Sequence, residues 1–182
     1  MKKLFVLSFA LLFVLFITGV KSVAADVSRW RAPVVDVYIS KDYADYSLMY
    51  KAFNEWCWAS DRRFLFNLSS TKGMAKNGHV KVYFDREDSD SIVETSRPGL
   101  NYPEVRININ TKDADGTSYS QKLMYSKMLH YAGLAMGLEK SENSKSVLYP
   151  SPTEEQSILK EDVLSLFSLY GWKVPKTFRY FR

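Results

Sequence analysis

The chain has 182 residues, 25 basic and 20 acidic side chains for a formal net charge of +5, and 46% apolar residues. That length suits one domain with its own core. The only cysteine, Cys57, excludes an internal disulfide framework, so packing must hold the fold.

The N-terminus has the three-part pattern of a secretory leader. Met1-Lys2-Lys3 is a short positive start, and Leu4 to Val20 is a run of seventeen uncharged residues. Val23 and Ala25 then place small side chains where a signal peptidase needs them, which predicts cleavage before Asp26. The alternative is a retained anchor, since the run sits at the lower limit for spanning a bilayer, roughly 17–25 residues. Residues 1–25 are thus read as a signal peptide and 26–182 as the mature domain, with its core at about 30–171 and a basic, aromatic tail at 172–182. Losing Lys2, Lys3 and Lys21 leaves 22 basic against 20 acidic residues, a net charge of +2. Bulk charge therefore argues against nucleic acid as a partner.

In chain order, Val34–Ile39 is β-branched and aromatic and predicts a strand. Tyr46 to Trp58 carries Tyr46, Met49, Tyr50, Phe53 and Trp56 at spacings of three and four, which predicts a helix. Arg63–Leu68 reads as a second strand, Gly73–Gly78 as a turn, and the alternation of Val80, Val82 and Phe84 as a third strand. Residues 85–103 are charged or rich in Pro and Gly and show no periodicity. Val105, Ile107 and Ile109 alternate again.

Gln121 to Leu138 gives the strongest helical signal. Met124, Met128, Tyr131, Ala135 and Leu138 lie on one stripe, and Leu123, Lys127, His130, Leu134 and Gly137 on the next. A last helix is predicted over about Ile158–Tyr170, with Gly171 suited to stop it. Strand, helix, several strands and two helices make one α/β domain of the α+β type.

His130-Tyr131-Ala132-Gly133-Leu134-Ala135-Met136-Gly137-Leu138-Glu139-Lys140 resembles the extended zinc helix of the matrixins, a branch of the metzincin proteases. The family pattern is H-E-x-x-H-x-x-G-x-x-H. His130 matches its first histidine and Gly137 its glycine. Tyr131 stands at the catalytic glutamate, Leu134 at the second histidine and Lys140 at the third. Ser146-Val147-Leu148-Tyr149-Pro150-Ser151 resembles the turn beneath the metal, with Leu148 where methionine usually sits. Leu159 to Gly171 resembles the closing helix with its Leu-Tyr-Gly ending, and Lys51 to Trp56 resembles a first-helix phrase. The resemblance implies a single zincin-like domain with a mixed twisted sheet and three helices.

A zinc protease needs two histidines four apart on one helix face, a third ligand after the glycine, and a base beside the metal-bound water. Here leucine has no lone pair to donate, a charged lysine repels the ion, and tyrosine is a poor base at neutral pH. No metal, no cofactor and no catalytic residue are therefore expected. Glu139, His79 and Cys57 are the available substitute ligands, each more simply read as a turn residue, a strand-opening residue and a small buried group. The expected function is a secreted, inactive protease homologue that binds a peptide or protein in the former substrate groove. The alternatives are a divergent active zinc endopeptidase and an envelope-surface module whose tail contacts membrane. Asn67-Leu68-Ser69 is a sequon inside a predicted strand.

Overall fold

A computed structural model describes residues 29–95 and 103–175. The predicted leader and the residues from Lys176 onward lie outside the described part, as do residues 96–102. The elements are β1 (Val34–Ile39), α1 (Ser47–Ala59), β2 (Leu65–Ser69), α2 (Lys72–Asn77), β3 (Val80–Phe84), β4 (Ser91–Thr95), β5 (Glu104–Ile109), α3 (Gln121–Ala135) and α4 (Lys160–Leu169). They form one mixed five-stranded sheet in the order β2-β1-β3-β5-β4. β2, β1, β3 and β5 are parallel to their neighbours, and β4 runs antiparallel along β5 at one edge. No described helix is long and apolar enough to cross a membrane.

The alternation of the strands decides which face is covered. Val35, Val37 and Ile39 of β1, Val80 and Val82 of β3, and Val105, Ile107 and Ile109 of β5 are fully buried. The pairings Val37↔Val80↔Val105 and Ile39↔Val82↔Ile107 put them on the same side of the sheet. Buried Met49, Phe53 and Trp56 of α1 and Met124 and Met128 of α3 belong to the same core.

The two long helices cross at a position where one has no side chain. A Cβ on Gly133 of α3 would lie 2.7 Å from Trp56 Cζ2 and 2.7 Å from Leu148 Cδ2. The indole also donates from Nε1 to the Leu129 carbonyl at 2.8 Å, so its one polar atom is satisfied inside the core. α3 begins at Ser120, whose hydroxyl accepts from the Leu123 amide at 3.1 Å. It ends at Gly137, with φ +85°, where Gly137 N donates to Leu134 O and Leu138 N to Gly133 O. Those two bonds satisfy the last carbonyls of the helix and turn the chain. The helix is therefore shorter than the periodicity to Leu138 predicts.

Two expectations are corrected. Gly73–Gly78, read as a turn, lies largely within the short helix α2, so the described residues form four helices where three were expected. The Thr71 hydroxyl caps it by accepting from Met74 N at 3.4 Å, and Lys72, Met74, Ala75 and Lys76 are good helix formers. Residues 85–103, read as aperiodic, contain β4. Only Ile92 of this strand is buried, so it has little pattern of its own, and its pairing comes from β5.

Gly133→Ala is expected to destabilise the domain by about 1–3 kcal/mol, because the added methyl overlaps two buried side chains. Urea denaturation checks this, and the double variant Gly133→Ala with Leu148→Ala should recover part of the loss if the overlap is the cause.

Candidate functional site

α3 carries the residues singled out by the motif, and its neighbours decide what they can do. His130 is buried, and its Nδ1 lies 2.9 Å from the Val147 carbonyl. A carbonyl can only accept, so Nδ1 carries the proton and the lone pair of the neutral ring is on Nε2. Burial holds the His130 pKa below its ordinary value. The bond to Val147 opposes that shift, Lys140 adds to it and Asp90 opposes it.

The carbonyl that orients His130 belongs to a firmly held segment. Val147 N donates to Ser157 O at 2.9 Å, and Ser141 N donates to Leu148 O at 3.0 Å. The Ser146 hydroxyl donates to Asp162 Oδ1 at 2.7 Å and accepts from Leu148 N at 2.9 Å. Asp162 is itself buried in the first turn of α4, where its other oxygen accepts from Leu159 N at 2.8 Å. Burial raises its pKa, and the two bonds pull against that rise. Leu148 is buried against Gly133, Tyr149 is half-buried and Pro150 is exposed. The segment read as the turn under a metal is thus a floor beneath α3, with Leu148 as its apolar contact.

Around His130 the helix presents groups unsuited to a cation. Tyr131 packs edge-on to the imidazole at 5.1 Å between ring centroids, and burial followed by the charge of Asp90 pushes its phenol well above the usual range. A phenol held in this way donates hydrogen bonds and does not act as a base near neutral pH. Leu134 is buried and Lys140 is exposed.

Lys127, one turn before His130, is the residue the motif did not single out. Its ammonium is buried, 3.0 Å from Asp90 Oδ2, 2.6 Å from Asn110 O and 4.2 Å from the centre of the Tyr119 ring. Asp90 Oδ1 also accepts from Asn110 N at 2.7 Å. Asn108 extends the network, accepting from Arg86 N and donating to Ser89 O and Asn110 Oδ1. Residues 86–90 are thereby fastened to the end of β5 and to α3. The sequence signal for Lys127 was a charged residue on the stripe that carries His130; Asp90 had none, because it lies in the aperiodic stretch.

The donor set does not fit zinc. His130 offers one imidazole nitrogen, Leu134 none, and Lys140 brings positive charge towards it. Among the described residues no group of three or more His, Cys, Asp or Glu side chains could hold a metal ion. The substitute ligands are placed elsewhere or unsuited. His79 Nδ1 accepts from Asp36 N at 3.1 Å and its ring packs on Trp30, and Glu139 is exposed. Burial raises the Cys57 thiol, which favours the protonated form that does not bind metal. In the sequon, Asn67 Nδ2 donates to Asp36 Oδ1 at 2.9 Å within β2.

Beside α3 runs β4, which follows Asp90 directly and forms the edge of the sheet. An edge strand presents main-chain N–H and C=O groups that a second extended chain can pair with. The Lys127–Asp90 contact ties the residue just before that strand to the helix. No family model matches the chain, and no curated protein matches it.

Two outcomes follow. His130 has a folded pKa below its unfolded value of about 6.5, so the unfolded chain binds the extra proton. Stability should therefore fall as pH drops through 6.5 towards the folded pKa. His130→Asn, whose amide can still donate to Val147 O, should show a flatter profile in that window when unfolding is followed at several pH values. Lys127→Met should cost roughly 2 kcal/mol in urea denaturation. That is less than the roughly 3–5 kcal/mol of a fully buried pair, because the Asp90 side chain keeps 23% of its exposure.

Proposed function

We propose that this is an exported, matrixin-like protein that keeps a metallopeptidase architecture without protease chemistry and binds an extended peptide between β4 and α3. The reading rests on an exposed sheet edge and on the side chains that α3 carries at the motif positions. An antiparallel edge strand lies beside a helix with a buried, main-chain-anchored histidine, and the neighbouring positions hold Tyr131, Leu134 and an internally paired Lys127.

Several features support this reading. The helix turns at Gly137, the segment around Leu148 packs beneath it, and α4 closes behind through Asp162. These features support the zincin-like reading, and the positions that the resemblance assigns to the ligands and base carry Tyr131, Leu134 and Lys140. No cofactor is required by such a protein. Recognition would use the main chain of β4 for affinity. Export is inferred from the leader-like N-terminus, and peptide or protein is the partner class.

Elemental analysis of the purified protein after zinc resupply, run beside a screen of extended peptides, tests the reading. Substoichiometric zinc, no peptide cleavage, and saturable peptide binding lost on Val93→Pro are expected. One zinc per chain that disappears in His130→Ala would overturn it in favour of an active, divergent metalloendopeptidase.

A further inference from the structure

We infer that the pole of the domain where Arg29 and Trp30 meet the end of α4 docks on an anionic lipid bilayer. Three segments converge there. Arg29 donates from a guanidinium nitrogen to Leu169 O at 3.1 Å, and Trp30 N donates to the Tyr170 hydroxyl at 3.3 Å. From the turn after α1, Phe64 packs edge-on to Tyr170 at 5.3 Å, and the Arg63 guanidinium lies over the Phe167 ring at 5.2 Å. Trp172 then stacks on Tyr170 at 4.9 Å, so this residue, assigned by sequence to the tail, belongs to the packed body.

The exposed apolar side chains gather on the same segments. Val34, Trp58, Leu65 and Val174 keep between 41% and 52% of their exposure. Val34 and Leu65 are direct partners across β1 and β2, and Leu65 N donates to Pro33 O. Leu164 on α4 and Val93 on β4 are the other large apolar side chains exposed among the described residues. Interleaved with Val34, Trp58, Leu65 and Val174 are Arg29, Arg31, Arg62, Arg63 and Lys173. Arg62 lies over the Trp58 ring at 5.2 Å, and the acidic counterweight is Asp61, 3.9 Å from Arg63.

The chain beyond this pole has matching chemistry. Eight residues separate the uncharged run Leu4–Val20 from Arg29. From Pro175 the sequence continues into Lys176, Phe178, Arg179, Tyr180, Phe181 and Arg182. Basic residues are drawn to an anionic surface, while Trp, Tyr and aliphatic side chains enter the headgroup boundary. Exposed valine and leucine have no use on a nucleic acid backbone, which favours a bilayer. The inference does not rest on the proposed peptide site along β4.

Co-sedimentation of residues 26–182, which contain every described contact, with phosphatidylglycerol-containing and with pure phosphatidylcholine vesicles tests it. Binding to the anionic vesicles only, weakening with salt, is expected. Lys173→Gln and Arg31→Gln should each weaken binding roughly fivefold, the equivalent of about 1 kcal/mol per basic residue near the surface. Lys112→Gln, on a distant loop, should change nothing. A chain ending at Pro175 should bind more weakly yet measurably. The inference is overturned by no anionic-vesicle binding, by equal loss in Lys112→Gln, by complete loss on removing residues 176–182, or by tighter binding to a single-stranded oligonucleotide.

Discussion

Trp56 lies across α3 at Gly133, and much of the domain depends on that contact. The close approach lets the indole fill the space a side chain would occupy and reach the Leu129 carbonyl with its nitrogen. It brings α1 against α3, and both cover the same sheet face. On the other side of Gly133, Leu148 fills the remaining space and anchors the segment whose Val147 carbonyl fixes the histidine ring. A residue without a side chain thus couples the main core to the candidate site.

Charge is arranged with the same economy. A buried ammonium is costly unless its donors are satisfied. Lys127 meets that condition with a carboxylate, a carbonyl and an aromatic face. The pair does the mechanical work of a bound cation in tying a loop to a helix, and it does so with covalently attached groups. Tyr131 and His130 sit within the field of Asp90 and are both held neutral by burial.

At the opposite concern of the fold, its closing helix, a second capping motif organises the termini. Gly171 N donates to Ser168 O and Trp172 N to Phe167 O, and the rings of Trp172 and Phe167 meet at 5.7 Å. This explains the Leu-Tyr-Gly ending in physical terms: the glycine turns the chain, and the tyrosine hydroxyl donates to Met136 O at the end of α3. Burial pushes that hydroxyl up to about 12, with the Trp30 amide and Arg29 opposing the rise. One side chain therefore joins the N-terminal segment, α3 and α4.

The sequence by itself determined the strands with clean alternation, β1, β3 and β5, and the two long helices, because their patterns reflect burial on one local face. It also determined that Tyr131, Leu134 and Lys140 offer neither an imidazole ligand nor a carboxylate base, since that capacity belongs to the side chain whatever surrounds it. Tertiary structure alone decided that β4 is a strand, because a five-residue edge with one buried side chain takes its order from β5. It alone joined Lys127 to Asp90 across 37 residues of sequence, and Arg29 to Leu169 across 140. Such pairings follow from how elements pack, and no local pattern of residues encodes them.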